Sequence, residues 1–321
     1  MIRFGILGTA RVASYGLLAP ARETEGVEVS AIASRDPGKA EAYAAENRIP
    51  RAFASYAALV EAPEIDAVYV ALPTALHHEW AQRAIEAGKH VLCEKPLAAT
   101  GDQAQALLEA AARRGVVLAE GMHVRHHAGL KRLRELTREG AVGRTLRIDS
   151  CFRTPYVPIA KDDFRLNASL GGGAGLDLGC YAVSCLRAVA DEEPEILSVS
   201  HRLIRPQVDR WMRAELRFPS GLPGSVEFGL RGFYTPRDGV IVTGERGRMK
   251  WDTRTIKIER EGKVERLTFP PTPTYRLQLE AFARSVRGEP SASLPPEDSV
   301  ATARVVDALY AKAGLASRAV Q

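Results

Sequence analysis

The stretch IRFGILGTARVA, residues 2–13, decides the fold class of this chain. Its first six residues are mostly apolar and predict a buried strand, and Gly8 follows directly where a dinucleotide-binding fold has its G-x-G-x-x-G/A turn. Gly8 permits a tight turn, and Ala13 is small enough for close packing of helix against strand. Ala10 replaces the middle glycine, which weakens the match. The phosphate-binding residues expected here are Gly8, Thr9, Ala10, Arg11 and Val12.

Apolar runs alternate with amphipathic stretches through the first 120 residues. Further strands are predicted at residues 27–33, 66–72, 90–94 and 116–119, and helices at residues 10–22, from Asp36-Pro37, from Ser55, at 75–87 and at 100–114. Strands separated by helices imply a parallel sheet with helices on both faces. Residues 1–122 are therefore predicted to form an α/β domain of the doubly wound Rossmann type.

The pattern changes after about residue 122. A helix is predicted near residues 126–140, extended segments dominate 144–268, a glycine-led helix covers about 174–189, and two helices near 275–287 and 297–313 close the chain. Alternation of polar and apolar residues, as at Thr255–Arg260, suggests an antiparallel sheet with one solvated face. Residues 123–321 are predicted to form an α+β domain with a large open sheet for substrate binding and oligomerisation, whose closing helices are free to pack back on the first domain.

Composition indicates an ordinary globular protein, with 45% hydrophobic and 26% charged residues among 321. No apolar run is long enough to span a bilayer and no signal-like segment opens the chain, so we expect no membrane association and a cytoplasmic location. The four cysteines form no CxxC pair, and no disulfide is needed.

The net charge of +5 favours a phosphorylated cofactor or another anionic ligand. Most of the basic residues are expected on solvated helix faces. Because no basic stripe with interleaved aromatic residues appears, we expect no nucleic-acid partner.

The end of the second strand, Ala33-Ser34-Arg35-Asp36, bears on the choice of cofactor. NAD sites usually place an acidic residue here to bind the ribose 2′-hydroxyl. Ser34 and Arg35 can instead bind a 2′-phosphate, and Asp36 before Pro37 fits a helix cap better. The cofactor is therefore predicted to be NADP(H) rather than NAD(H), the alternative being that Arg35 is a solvated surface residue.

The fourth strand ends in Glu94-Lys95-Pro96-Leu97. Ligands of open α/β sheets bind in the crevice beyond the carboxyl ends of the strands, and Pro96 restricts the backbone that carries Lys95. Taken alone, however, a Lys-Pro dipeptide predicts no more than a surface lysine.

The surrounding sequence gives Lys95 a specific role. The segments ALPTALHHE (residues 71–79) and AGKHVLCEKPL (residues 87–97) strongly resemble the Gfo/Idh/MocA oxidoreductase family, and the resemblance extends over essentially the whole chain. It implies NAD(P) binding by the N-terminal domain and oxidation or reduction of sugars, polyols or related rings. It also implies that Lys95 contacts the substrate hydroxyl and the nicotinamide ribose, although Thr74 stands where many members have Asn. The residues implied on the nicotinamide side are Leu72, Pro73, His77, His78, Glu94 and Lys95.

The run GGGAGLDLGCY, residues 171–181, supplies the second set of candidate catalytic residues. Asp177 and Tyr181 are four residues apart and would share one face of an α-helix. A nearby ammonium group favours phenolate, so Tyr181 could move the hydroxyl proton while Lys95 stabilises the alkoxide and nicotinamide C4 takes the hydride. Asp177 would orient a substrate hydroxyl or Lys95. The alternative is a core tyrosine and an exposed aspartate.

The same run resembles the family's GGGxxxDxGxH signature, with Tyr181 and Ser184 where inositol-type members have His and Asp. The tyrosine form resembles the branch of glucose–fructose oxidoreductase, NADP-dependent xylose or glucose dehydrogenases and dihydrodiol dehydrogenases. That resemblance implies NADP(H), an aldopyranose or cyclic polyol substrate, and a homodimer or homotetramer.

Residues 120–127, EGMHVRHH, resemble the branch's E-A-F-M-x-R-x-H-P segment. Arg125 and His127 match it and are candidate substrate contacts, together with Arg165 from the loop at residues 154–169. The departures are Gly121, Met122, His123 and Ala128, which predict an altered pocket wall.

His123, His126 and His127 have a spacing that can bind a metal on a helix. No carboxylate or cysteine follows at ligand spacing and hydride transfer needs no metal, so a histidine-lined hinge without metal is favoured.

Two other functions remain open. Lys95 and Tyr181 would serve a reductase of ring C=C or C=N bonds, including a trans-dihydrodiol enzyme, equally well. A non-catalytic NAD(P)-binding regulator is disfavoured because both residues are present.

Overall fold

The computed structural model describes residues 1–154, 159–230 and 238–318, and these fall into two units. The first comprises Met1–His123 and Pro273–Val300, and the second comprises Val124–Thr272 and Ala301–Gln321. Among the described helices, none combines the length and the apolar character that crossing a lipid bilayer requires.

Six parallel strands form the sheet of the first unit, in the order β3-β2-β1-β4-β5-β6. They are β1 Ile2–Leu7, β2 Val27–Ala33, β3 Arg51–Phe53, β4 Ala67–Val70, β5 His90–Glu94 and β6 Leu118–Gly121. The order reverses at β1, which pairs with β2 on one side and β4 on the other, and such a switch point is where dinucleotides bind. The predicted Rossmann sheet is confirmed, but β3 was missed because three residues are too few to show a pattern.

Helices connect these strands. They are α1 Arg11–Ala13, α2 Ala19–Ala21, α3 Pro37–Asn47, α4 Tyr56–Glu61, α5 His77–Glu86 and α6 Gly101–Arg114. The predicted starts of three helices are confirmed, since Asp36, Ser55 and Thr100 each accept a hydrogen bond from an amide in the first turn. The predicted helix at residues 10–22 is instead interrupted between α1 and α2 by a π-helical turn, Ser14–Leu18.

Helix α9, Thr274–Val286, contributes to the hydrophobic core of the first unit. Phe282 is 1% exposed and its ring centroid lies 5.6 Å from that of Phe4 in β1. Burial of a side chain of this size contributes about 1.5–3 kcal/mol. A segment more than 270 residues along the chain thus stabilises the sheet that the first strand begins.

The sheet of the second unit has eight strands in the order β14-β13-β12-β11-β7-β10-β9-β8. They are β7 Thr145–Arg153, β8 Glu195–Arg205, β9 Val208–Arg217, β10 Pro223–Gly229, β11 Gly239–Gly244, β12 Gly247–Trp251, β13 Thr255–Arg260 and β14 Lys263–Thr268. All described pairs are antiparallel except β7 with β10. The predicted open, mostly antiparallel sheet is confirmed.

Helices α7 (Ala128–Arg138) and α8 (Cys180–Ala190) pack on one face of this sheet, and α10 (Pro296–Lys312) follows α9 in sequence. The face beneath α7 and α8 is apolar and includes Met212, Val226, Phe228, Val242 and Trp251, all buried. Alternate residues point to the other face, where Arg147 pairs with Asp149 and Glu215. The alternation of residues in the sequence therefore gives this sheet one face covered by helices and one charged face.

Candidate functional site

Gly8 brings three strand ends together. Its φ is +97°, and a Cβ there would lie 2.6 Å from the carbonyl oxygen of Ala71, which follows β4. Its amide donates a hydrogen bond of 2.9 Å to the carbonyl of Ala33, at the end of β2. Both the backbone conformation and the close approach require glycine at this position.

Ala10 precedes the first turn of α1 and leaves that turn without a side-chain cap. The amides at such a helix start are oriented to bind an anion. Ala10 has φ −71° and ψ 142°, an extended conformation that any residue adopts, so the absence of the middle glycine causes no backbone strain. These donors fit the pyrophosphate of a dinucleotide.

The end of β2 has the groups expected for a phosphorylated ribose. Ser34 is buried and its Oγ accepts a hydrogen bond of 3.4 Å from the Asp36 amide, whereas the next side chain, Arg35, is exposed. Asp36 caps α3 by accepting from the Lys39 amide at 3.3 Å, as predicted. The carboxylate at this strand end is thus engaged by the helix, and a hydroxyl and a guanidinium precede it.

Lys95 lies one residue beyond β5, in a turn with a cis Lys95-Pro96 peptide bond, and is half-buried. The preceding residue, Glu94, is 6% exposed. Its Oε1 accepts a hydrogen bond from the Tyr69 hydroxyl, and its Oε2 accepts one of 3.3 Å from the Lys95 amide. Burial raises the pKa of Glu94, although Tyr69 and Lys95 act in the opposite direction. Glu94 and Tyr69 thereby form a buried support for the turn that carries Lys95.

His77 links the Lys95 turn to the segment after β4. Its Nδ1 lies 2.8 Å from the carbonyl oxygen of Pro96, and its Nε2 lies 2.8 Å from that of Leu72. Burial lowers the pKa of His77 even though two carbonyl oxygens favour the protonated ring. His77 is 1% exposed, so its observed role is to hold these two loops together, whereas Leu72, Pro73 and His78 are half-buried.

The three residues that depart from the family pattern at positions 121–123 all make contacts within the first unit. A Cβ on Gly121 would lie 3.2 Å from Cys93 O and Glu94 Cα, and Met122 is 1% exposed. The His123 ring stacks on Tyr275 at 3.9 Å between centroids, and its Nδ1 lies 2.8 Å from Thr274 Oγ1. Met122 is therefore a core residue of the first unit.

In the second unit, Tyr181 lies in the first turn of α8 and stacks on Phe152 of β7, with ring centroids 6.1 Å apart. Asp177 lies in a π-helical turn, Gly175–Gly179, that precedes α8. We expected Asp177 and Tyr181 to lie on one α-helix. Instead Asp177 lies in the π-helical turn, and only Tyr181 lies in α8. π-helical turns inside helices occur frequently at functional sites.

Arg165 holds Asp177. Its Nε donates to Asp177 Oδ2 at 2.9 Å, and its Nη1 lies 3.3 Å from Asp163 Oδ2. Burial opposes the charge, but these two carboxylates raise the pKa of Arg165. Asp163 also accepts a hydrogen bond of 2.9 Å from the Arg165 amide, so it contacts both the backbone and the side chain of Arg165. Residues 155–158 of the predicted specificity loop lie outside the described residues.

Comparison with known proteins agrees with this architecture. Residues 2–122 match the model of the GFO/IDH/MocA oxidoreductase family with NAD-binding Rossmann fold, and residues 130–250 match the model of its C-terminal domain. The chain is 35% identical to D-xylose 1-dehydrogenase (NADP(+)) 2 of Haloferax volcanii over 97% of both chains. The chain belongs to the Gfo/Idh/MocA oxidoreductase family.

Two further relatives bear on the predicted branch of the family. A 3-ketoreductase from Actinomadura kijaniata, solved with NADP and TDP-benzene, has a TM-score of 0.88 and 31% identity over 97% of both chains. Mouse trans-1,2-dihydrobenzene-1,2-diol dehydrogenase is 28% identical over 84% of this chain and 80% of its own length. The predicted family and branch are confirmed.

Within this Gfo/Idh/MocA oxidoreductase, the structure gives Arg125 and His127 roles other than the expected substrate contacts. Arg125 Nη1 donates to Ser184 of α8, to Oγ at 2.9 Å and to the carbonyl at 3.2 Å. His127 is 9% exposed and caps α7, its Nδ1 accepting from the Gly129 amide at 2.9 Å. Ala128, the fourth departure from the family pattern, is the exposed first residue of α7.

The three neighbouring histidines do not gather around one point, and no group of three or more candidate metal ligands occurs among the described residues. His123 stacks on an aromatic ring, and His127 caps a helix. His126 is 7% exposed, and burial lowers its pKa to about 4.

Sequence reasoning missed several supporting residues. Tyr69 was assigned to a buried strand without a partner for its hydroxyl, yet buried tyrosines usually have one, so the residue type itself was a signal. Glu120 Oε1 accepts from the Leu97 amide at 2.9 Å and fixes the far side of the Lys95 turn. No local sequence pattern identifies either partner, because each contact joins residues more than 20 positions apart in the chain.

Proposed function

We propose that this family member is an NADP(H)-dependent oxidoreductase that transfers hydride between the nicotinamide and a sugar, with C1 of an aldopyranose as the reacting carbon. The observation that carries the proposal is the strand-end arrangement of the first unit. Gly8, Ser34 and Lys95 follow β1, β2 and β5, which end at one edge of the parallel sheet.

The chain's donors fit NADP(H) along its length. Amides of the phosphate loop suit the pyrophosphate, and Ser34 with Arg35 suits the 2′-phosphate. The Haloferax relative is named for NADP(+), and the Actinomadura relative was solved with NADP. The proposed cofactor-binding residues are Gly8, Thr9, Ala10, Arg11, Val12, Ser34, Arg35, Leu72, Pro73, His78 and Lys95, and the buried His77 and Glu94 act by holding the Lys95 turn.

The bound nicotinamide supplies the hydride acceptor or donor. Lys95 donates a hydrogen bond to the substrate oxygen and stabilises negative charge that develops there. Tyr181 takes the hydroxyl proton during oxidation and returns it during reduction. Asp177, held by Arg165 at 2.9 Å, orients a substrate hydroxyl.

Two other substrate classes are favoured by the relatives. The Actinomadura protein is called a 3-ketoreductase and was solved with a TDP ligand, and the mouse protein is named for a trans-dihydrodiol. Lys95 and Tyr181 would serve carbonyl reduction at C3 of a nucleotide-linked sugar, or diol oxidation, by the same proton transfer. A panel of aldopyranoses, a TDP-linked 3-ketosugar and a trans-dihydrodiol separates the three.

The test begins with matched titrations of NADPH and NADH, followed by turnover on that panel by wild type and Lys95→Met. We expect tighter NADPH binding, and a fall in kcat/KM of about 10²–10⁴-fold in the variant, the range for losing a positioned proton-transfer or charge-stabilising group. Lys39→Met, at an exposed position of α3, is the control.

Preference for NADH would overturn the cofactor assignment. Tight NADPH binding without turnover of any panel member would favour the regulator instead. A double variant with Tyr181→Phe should lose less than the product of the two single losses if both side chains act on one substrate.

We also propose a homodimer or homotetramer that uses the charged face of the second-unit sheet. Arg147, Asp149 and Glu215 pair across three strands on that face. Light scattering on the full chain should give two or four copies, and Arg147→Glu should shift the mass towards the monomer.

A further inference from the structure

Gly173 and Gly175, at the start of the π-helical turn, pack on two members of a cluster of three buried side chains from separate elements of the second unit. They are Asp209 of β9, Tyr310 of α10 and Arg318 of the C-terminal segment, which are 0%, 2% and 4% exposed. We call them the Asp209 cluster. Charged residues are seldom this deeply buried unless they are paired, which indicates that these side chains have a specific structural role.

Hydrogen bonds tie the cluster to the glycine run. Asp209 Oδ2 accepts from the Gly175 amide at 2.8 Å, and its Oδ1 accepts from the Tyr310 hydroxyl at 2.8 Å. Arg318 Nη2 lies 3.6 Å from Asp209 Oδ1, and its guanidinium carbon lies 4.5 Å from the Tyr310 ring centroid. The carboxylate thus joins the C-terminal segment to the first residue of the π-helical turn.

The glycines are required by this contact. Gly173 has φ +122°, and a Cβ there would lie 2.1 Å from Asp209 Oδ1. A Cβ on Gly175 would lie 2.5 Å from the Tyr310 hydroxyl oxygen. The run therefore fits against the cluster with no space for a side chain at either position.

The glycine run also carries the backbone of the candidate catalytic groups. The Gly173 amide donates to the Arg165 carbonyl at 3.0 Å, and the Asp177 amide donates to the Gly173 carbonyl at 3.3 Å. A shift of Gly173 or Gly175 would therefore move both Arg165 and Asp177, and Tyr181 follows two residues after the end of the turn.

Tyr310, the Gly175 amide and the charge of Arg318 together make a carboxylate tolerable at this depth. Burial raises the pKa of Asp209, while Tyr310, the Gly175 amide and Arg318 act in the opposite direction. Removing one partner of a buried pair leaves an uncompensated charge, which is strongly destabilising locally. Without Arg318, we expect the Asp209 carboxylate either to turn towards water or to take up a proton. Either change would weaken its hydrogen bond with the Gly175 amide.

We propose that Asp209, Tyr310 and Arg318 are positioning residues for the reaction. They act through the Gly175 amide to fix the turn that carries Asp177 and leads into Tyr181. The effect on turnover rests on the proposed function, whereas the effect on the backbone of residues 171–181 does not.

The test is Arg318→Met in the full chain, with Arg304→Met, at an exposed position of α10, as the matched control. We expect kcat on the active sugar to fall about 10- to 100-fold in Arg318→Met, the scale for a small misplacement of a catalytic group. The NADPH dissociation constant should stay within about twofold of wild type, because the expected cofactor donors belong to the first unit. Millimolar guanidinium should restore part of kcat in Arg318→Met and leave the control unchanged.

Amide hydrogen exchange gives a readout that is independent of turnover. Peptides that cover residues 171–181 should exchange faster in Arg318→Met than in wild type or Arg304→Met, with first-unit peptides unchanged. The double variant Asp209→Asn, Arg318→Met should be no worse than Arg318→Met alone, because the neutral amide needs no counter-charge.

Unchanged kcat and exchange in folded Arg318→Met would overturn the inference, as would equal losses of kcat and NADPH affinity. If wild type turns over no sugar but exchange at residues 171–181 responds to Arg318→Met, the proposed function fails and the positioning link stands.

Discussion

Single residues at the strand ends set the chemistry of the first unit. At position 8 only glycine fits, because a Cβ would clash with Ala71. The Glu94 carboxylate accepts hydrogen bonds from the Tyr69 hydroxyl and the Lys95 amide. Each of these groups is defined by a contact within a few ångströms, so each can be tested by one substitution.

Arg35 should discriminate between the two nicotinamide cofactors. We expect Arg35→Ala to weaken NADPH binding about 10- to 100-fold, the equivalent of one or two charge-assisted hydrogen bonds, and to leave NADH binding nearly unchanged. Fluorescence titration of both cofactors measures this, with Lys39→Ala on the neighbouring helix as control. Equal weakening of both cofactors would mean that Arg35 does not contact the 2′-phosphate.

His126 should make stability depend on pH. Burial lowers its pKa to about 4 in the folded protein, below the value of about 6.5 expected when unfolded. A depressed histidine pKa stabilises the fold fully above about pH 6.5, and this contribution is lost as pH falls towards the folded pKa of about 4. The loss should reach about 3 kcal/mol.

Urea unfolding at a series of pH values measures this dependence. The slope of unfolding free energy against pH between about 6.5 and 4 should be smaller by roughly one proton in His126→Leu. An unchanged slope would show that His126 titrates normally in the folded state. The other histidines, which remain in both proteins, cancel in the comparison.

At the scale of elements, helix ends carry several of the functional segments. The predicted cap Asp36 and the observed caps Ser55 and Thr100 are residue types preferred at this position, whereas His127 is an unusual cap for α7. Its ring also packs on Trp251, with centroids 5.3 Å apart. The cap and the packing together explain a buried histidine that the family resemblance suggested as a substrate contact.

The two roles of His127 make opposite predictions. If it caps α7, His127→Asn should keep much of the stability because asparagine is a strong cap, whereas His127→Ala should lose about 1–2 kcal/mol. In both variants kcat/KM per folded molecule should stay close to wild type. Thermal unfolding with kinetics on the same samples decides, and a large loss of kcat/KM in a stable His127→Asn would restore the substrate-contact role.

At the scale of the whole molecule, the first unit is assembled from two distant parts of the chain. Met1–His123 supplies the parallel sheet, and Pro273–Val300 supplies α9, whose Leu279, Phe282 and Ala283 lie in the same core. The dinucleotide-binding unit therefore depends on residues translated after the second unit's sheet.

Phe282→Ala should accordingly weaken the first unit. We expect a loss of about 3–5 kcal/mol of unfolding free energy, the usual cost of emptying such a site, together with a lower apparent NADPH affinity. Arg284→Ala, on the exposed side of the same helix, should do neither. Proteolysis that spares the sheet of the first unit in Phe282→Ala would contradict this dependence.

Local sequence patterns determined much of the fold. Apolar runs identified five of the six parallel strands, the Asp36-Pro37 pair identified the start of α3, and alternation identified the antiparallel sheet. These features depend on neighbours a few residues away, so the chain itself records them. The same holds for Gly8 and the Lys95 turn, whose motifs are contiguous in sequence.

Tertiary structure decided what the candidate catalytic side chains touch. Arg165 hydrogen-bonds to Asp177, Arg125 to Ser184 and Asp209 to Gly175 because separate elements pack together. No periodicity in the sequence predicts these contacts. The two π-helical turns among the described residues, Ser14–Leu18 and Gly175–Gly179, were likewise not predicted from the sequence. The sequence by itself determined where the strands, turns and candidate groups occur, and only the folded chain determined which of them support one another, because that depends on distances between residues far apart in sequence.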